Sequence, residues 1–80
     1  MARVRLFASA REAAGTADEV VPGETVDEVL AEAVRRFGDG FARVLPTCKV
    51  WVNGEEVPRA ARVGAHDEVA VLPPVSGGAR

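Results

Sequence analysis

The order of elements predicts an α+β domain in which one main helix packs on one face of a five-stranded sheet. Three observations carry this. A capped amphipathic helix occupies residues 25–37, an Asn53-Gly54 pair between apolar alternations marks a tight hairpin, and Pro73-Pro74 follows an alternating strand and ends the fold. One helix with a single apolar stripe covers one sheet face, so the other face is expected to meet solvent.

Taken in order, Arg3 to Ala8 alternates, with Val4, Leu6 and Ala8 expected on one face and Arg3, Arg5 and Phe7 on the other. Ser9 to Gly15 reads as a turn or helical loop closed by glycine, and Asp18 to Val21 as a second strand stopped by Pro22-Gly23. Thr25-Val26-Asp27-Glu28 is a capping box: the Thr25 hydroxyl is expected to accept from the Glu28 amide, and the Glu28 carboxylate from the Thr25 amide. Val26, Val29, Leu30, Ala33, Val34 and Phe37 then recur at helical spacing. Acids stand in the first turn, Arg35 and Arg36 in the last, and Gly38 follows. Phe41 to Leu45 before Pro46 is one short helical turn. Lys49 to Val57 is a hairpin about Asn53-Gly54, with Val50 and Val52 on one face and Trp51 on the other. Pro58 to His66 is a polar connector, and Glu68 to Leu72 is the last strand, Val69 and Val71 inward, Ala70 and Leu72 outward.

Eighty residues make one domain. Residues 1–72 are expected to fold and residues 73–80 to form a flexible tail carrying the Gly-Gly pair. A net charge of −2 gives no footprint for nucleic acid, and no apolar run is long enough for a membrane span or signal peptide. Cys48 has no partner, so neither a disulfide framework nor a thiolate metal cluster is expected, and a cytoplasmic home follows. His66, the lone histidine, sits in a polar Gly-Ala-His-Asp stretch, which leaves Cys48 a structural residue and not a nucleophile. No paired carboxylates, His-Cys pair or phosphate loop occurs at a workable spacing, so the chain is not expected to be an enzyme or to bind a metal or cofactor itself.

Two features remain. Alternation puts Phe7, Trp51 and Leu72 on the outer face, one from each of three strands, and their convergence beside the start of the tail points to a docking patch. In the tail, Pro73-Pro74 lack amide donors and favour the polyproline conformation, projecting the chain as a stiff stalk. Gly77-Gly78 ends that stalk without side chains. A frayed terminus has a similar composition, but a bare glycine tip also lets a backbone pass a narrow tunnel and present its carboxylate to a nucleotide phosphate.

From VRLFASAREAAG through KVWVNGEEV to DEVAVLPPVSGG, the chain resembles the MoaD/ThiS family of ubiquitin-like sulfur carriers, and within it most nearly the MoaD branch, the small subunits of molybdopterin synthase. The resemblance implies a β-grasp fold with a mixed sheet, its first and last strands side by side and parallel at the centre. It implies a non-catalytic carrier whose C-terminal glycine, here Gly78, is adenylated by an ATP-using adenylyltransferase related to ubiquitin-activating enzymes. The product is a thiocarboxylate delivered to a sulfur-accepting, MoaE-like large subunit for molybdenum cofactor biosynthesis. By position, Gly77, Ser76, Val75, Pro74 and Pro73 would thread the partner's tunnel, while Phe7, Trp51, Leu72 and Arg11 match the docking residues of such proteins. Ala79 and Arg80 follow Gly78, where family members usually end, so a precursor trimmed by a processing metalloprotease is expected. Other readings remain open: a carrier for cysteine, thiamine or secondary-metabolite pathways, a ubiquitin-like protein modifier, or a binding module with an inert tail.

Overall fold

Five strands, β1 (Ala2–Leu6), β2 (Asp18–Val21), β3 (Lys49–Val52), β4 (Glu55–Glu56) and β5 (Glu68–Leu72), form one mixed sheet in the order β2-β1-β5-β3-β4. The structure is a computed structural model that describes residues 1–74; Val75, Ser76, Gly77, Gly78, Ala79 and Arg80 lie outside the described residues. β1 and β5 run parallel at the centre, with Val4 beside Val69 and Leu6 beside Val71, and the other pairings are antiparallel. This is a β-grasp arrangement. Among the described residues three helices accompany the sheet: α1 (Ala8–Ala14), α2 (Val26–Phe37) and α3 (Asp39–Val44), the last continuing into a 3-10 turn at Leu45–Thr47.

Strand alternation builds the core directly. Ala2, Val4 and Leu6 of β1, Val21 of β2, Val50 of β3, and Val69 and Val71 of β5 are buried on one face, in one cluster with Val26, Val29, Leu30 and Ala33 of α2. Ala10 of α1, Phe41 of α3 and Leu45 join the same cluster. Phe41 is fully buried and meets the Phe37 ring edge to face at 5.3 Å. The helical turn expected at 41–45 begins earlier, at Asp39, and is a structural plug at one end of the core.

Two local expectations are corrected. Ala8 is exposed and not on the inner face. β1 stops at Leu6, and Ala8 takes a left-handed φ of 52°, which turns the chain into α1, sends Ala10 inward, and leaves Ala2 as the third inward residue of β1. In the cap of α2, the Thr25 hydroxyl accepts from the Glu28 amide at 3.2 Å as expected, but the Glu28 carboxylate accepts from the Glu24 amide at 2.9 Å, one residue further back than the Thr25 amide. The turn before it has room for glycine alone: a Cβ on Gly23 would stand 2.7 Å from the Val29 nitrogen. Among the described residues no helix is long and apolar enough to cross a membrane.

Candidate functional site

The strand that carries the tail sits at the sheet centre, so its neighbours on both sides frame the point where the chain departs. Beyond the Leu6 and Val71 pair, the Phe7 amide donates to the Val71 carbonyl at 3.3 Å, which extends β1 by one residue and sets Phe7 beside Leu72. On the other side Lys49 is paired with Leu72, and Trp51 with Ala70. Alternation therefore turns Phe7, Leu72, Lys49 and Trp51 to the face opposite the helices. Phe7 is 40% exposed, Trp51 36% exposed, and Leu72 half-buried.

Trp51 and Leu72 share one groove of about 290 Å³ with Thr47, Lys49, Pro73 and Pro74. Phe7 lies on the other side of Leu72 and does not line that groove. The three apolar residues thus form a row across β1, β5 and β3 with Leu72 as its middle. Charged partners edge the row: Arg5 Nη1 donates to Glu68 Oε2 at 2.8 Å while its guanidinium stands 5.8 Å from the Phe7 ring centre, and Lys49 Nζ is 3.6 Å from Glu56. Arg11 is exposed on α1, its backbone amide donating to the Phe7 carbonyl at 3.3 Å, and it lines neither groove. Among the described residues its guanidinium makes no ion pair.

Sequence reasoning missed a second hollow. Ser9 and Glu12 of α1 face Arg43 of α3 and Thr47 across an open space of about 820 Å³ that Pro73 and Pro74 also line. The chain therefore leaves the sheet between two hollows, the Trp51 groove and a wider one edged by Ser9, Glu12, Arg43 and Thr47. Nothing in the local pattern announced this, because the hollow exists only where α1 and α3 meet. Of the remaining predicted site residues, Pro73 and Pro74 border both grooves, and Val75, Ser76, Gly77 and Gly78 lie outside the described residues.

The site has no chemistry of its own among the described residues. Cys48 is buried, its Sγ donates to the Val44 carbonyl at 3.3 Å, and burial pushes the thiol pKa up, all of which oppose a thiolate nucleophile. Among the described residues no group of three or more His, Cys, Asp or Glu is placed to hold a metal. What the geometry offers is a surface and an exit.

Comparison with known proteins agrees with that geometry. The sequence profile of the ThiS family matches residues 4–78. A molybdopterin synthase sulfur carrier subunit from Arabidopsis thaliana is 35% identical over 79 residues, covering 95% of this chain and 81% of that protein. The crystal structure of SAMP1 from Haloferax volcanii superposes with a TM-score of 0.79 at 32% identity, over 95% of this chain and 97% of that one. A chain of the Amycolatopsis orientalis BexX/CysO complex superposes with a TM-score of 0.80 at 26% identity, over 98% of this chain and 100% of that one.

Proposed function

This chain belongs to the ThiS family, and from that premise we propose that it is a sulfur carrier, itself no enzyme, whose reactive group is the carboxylate of Gly78 and whose acceptor pathway is molybdopterin synthesis. The observation that carries the reading is the placement of the tail. β5 runs out between β1 and β3 directly into Pro73-Pro74, and the row of Phe7, Leu72 and Trp51 stands at that exit. A partner gripping the row receives the tail in a fixed direction, and the glycines after it add no bulk. The partners are then two. An ATP-using adenylyltransferase activates Gly78, and the large subunit of a synthase accepts the sulfur, with Arg11 at the edge of the docking area and residues 73–77 in the tunnel. The cytoplasm, where such enzymes and their ATP are found, is the compartment this implies.

An oxygen of the Gly78 carboxylate attacks the α-phosphate of ATP, pyrophosphate leaves, and the acyl-adenylate forms. Hydrosulfide, the sulfur donor's product, then adds to the carbonyl, AMP departs as its C–O bond to that carbon breaks, and loss of the S–H proton leaves a thiocarboxylate. Gly78 is followed by Ala79, so its carbonyl is an amide and has no such oxygen until that bond is hydrolysed. A processing protease is therefore part of the proposal.

The experiment incubates the encoded chain, a chain ending at Gly78 and a chain ending at Gly77 with an activating enzyme, ATP and a sulfur donor, and weighs the products. The chain ending at Gly78 is expected to exchange one carboxylate oxygen for sulfur. The encoded chain should do so only after a protease has cut behind Gly78, and sulfur uptake by all three forms alike would overturn the reading. The likeness to SAMP1, a small archaeal modifier protein, supports a second use of the same carboxylate, an isopeptide bond to a lysine. Adducts on other proteins, in place of a thiocarboxylate, would select it.

A further inference from the structure

At the end of the sheet away from the tail, one side chain ties three segments together. Asn53 and Gly54, with φ of 52° and 87°, form the two-residue turn joining β3 to β4. Asn53 Nδ2 donates to Asp67 Oδ1 at 2.9 Å, and Asn53 Oδ1 accepts from the Glu68 amide at 2.9 Å. The other Asp67 oxygen accepts from the Gly64 backbone N–H at 2.7 Å, and the Asn53 backbone N–H donates to the Glu68 carbonyl at 3.0 Å. The Asp67 carboxylate joins the connector to the start of β5, and both are latched to the hairpin by the Asn53 side-chain amide.

That amide is also chemically vulnerable. With no Cβ on the following residue, the backbone nitrogen of Gly54 is free to attack the Asn53 side-chain carbonyl. Asn53 and Gly54 are exposed, and nothing stands within 4 Å of where a Cβ on Gly54 would be, so neither bulk nor dryness protects the pair. We propose that Asn53 is a deamidation site whose reaction is held back by its bonds to Asp67 and Glu68 and proceeds when this latch opens locally. Water is the co-reactant. In the reaction the Gly54 nitrogen loses its proton and bonds to Asn53 Cγ, Nδ2 leaves as ammonia, and a five-membered imide forms. Water then opens the imide at either carbonyl, giving aspartate or its isomer with the main chain routed through Cγ, with no change of oxidation state.

The product cannot rebuild the latch. A carboxylate at position 53 would face the Asp67 carboxylate, two acceptors of like charge where a donor stood. The isomer adds a methylene to a two-residue turn, which disturbs the pairing of Trp51 with Glu56. Damage at the turn would therefore reach a residue of the apolar row two positions away.

The test follows deamidation of the tryptic peptide spanning residues 50–59 by mass and chromatography, after incubation in mildly alkaline buffer. The folded chain is compared with the same chain in concentrated urea, with Asp67→Ala, and with Thr25→Ala as a variant weakened at the start of α2, where none of the bonds to Asn53 or Asp67 is removed. The folded chain and Thr25→Ala are expected to react about tenfold or more slowly than the urea-unfolded chain, while Asp67→Ala approaches the unfolded rate. A folded chain that reacts as fast as the unfolded one, or Asp67→Ala no faster than the parent, overturns the proposal. Equal acceleration by Thr25→Ala also overturns it, since the gate would then be global unfolding. If Asp67→Ala does not fold, Asp67→Asn, which must give up the anion shared by Asn53 and Gly64, carries the same comparison.

Discussion

The two faces of the sheet are made by the same strands, residue by residue, and have opposite characters. On the helix side Val4, Val21, Val69 and Val71 are fully buried; on the other side Arg3, Arg5, Glu68, Lys49 and Trp51 interleave between them and meet solvent. A single step along β5 passes from Val71, which holds the fold, to Leu72, which stands in the groove at the tail. The difference teaches that the residues holding the fold and the residues left for the proposed docking surface are separated by pleat and not by region. Substitutions on the two faces should accordingly fall into two classes, and ranking them by their effect on stability either sharpens that division or breaks it.

The largest loss is expected at Phe41. It is fully buried, plugs the core beside Phe37 and has no surface role, so Phe41→Ala should cost about 3–5 kcal/mol. Against a total on the order of 4–12 kcal/mol, at ~0.05–0.15 kcal/mol per residue, that brings the chain near unfolding. Urea unfolding followed by circular dichroism measures it. A loss below about 1 kcal/mol would mean the α3 end is not part of the cooperative core.

Much of the inner face was legible because burial and periodicity coincide there. The α2 stripe, the inward valines of β3 and β5 and the Asn-Gly hairpin are each determined within a few residues. What escaped depends on contacts between distant segments or on a single unusual torsion. Parallel pairing of β1 with β5 joins strands more than sixty residues apart, and only the family resemblance supplied it. Ala8 misled because an alanine carries the left-handed turn that glycine usually marks. At the site, alternation alone put Phe7, Trp51 and Leu72 on one face, but the division of Phe7 from the Trp51 groove, and the wider hollow on the other side of Pro73-Pro74, come from packing between helices and strands.

A smaller stability effect is expected at the start of α2, on the surface. Thr25 accepts from the Glu28 amide, so Thr25→Ala should cost about 0.5–2 kcal/mol, read as a shift in the urea midpoint with an unchanged slope. Sulfur loading of the chain ending at Gly78 should be unaffected. A variant of full stability that loses loading would move this helix start from scaffold to interface.

A pH-dependent contribution comes from Asp67. Its hydrogen bond from Asn53 and then that from the Gly64 amide hold its pKa below the usual carboxylate value. A group whose pKa is depressed by folding adds stability that is fully present above its unfolded pKa and is lost as pH falls through the folded one. Asp67→Asn should therefore melt below the parent at neutral pH, and the two melting curves should converge in acid. A gap that persists or widens in acid would show that the carboxylate charge is not what the site uses.

The smallest effect on stability is expected where the effect on binding is largest. Phe7 is the most exposed residue of the apolar row, and a carboxylate in its place would stand beside the Arg5 guanidinium that already pairs with Glu68, so Phe7→Glu leaves the core untouched and places its charge next to a cation. Surface changes of this kind stay within about 0.5 kcal/mol, a midpoint shift of no more than roughly 4 °C for a domain of this size. A partner that grips the row, however, would have to desolvate that charge against an apolar pocket, and loss of an anchor of this type costs about 2 kcal/mol or more, some thirtyfold in affinity. Calorimetric titration of the activating enzyme with the parent and with Phe7→Glu, beside thermal melts of both, reads the two quantities independently. Weakened binding with an unchanged midpoint keeps the faces separate. If Phe7→Glu instead lowers the midpoint as far as Phe41→Ala does, Phe7 belongs to the cohesive half of the molecule, and the outer face is a second core edge instead of a docking surface.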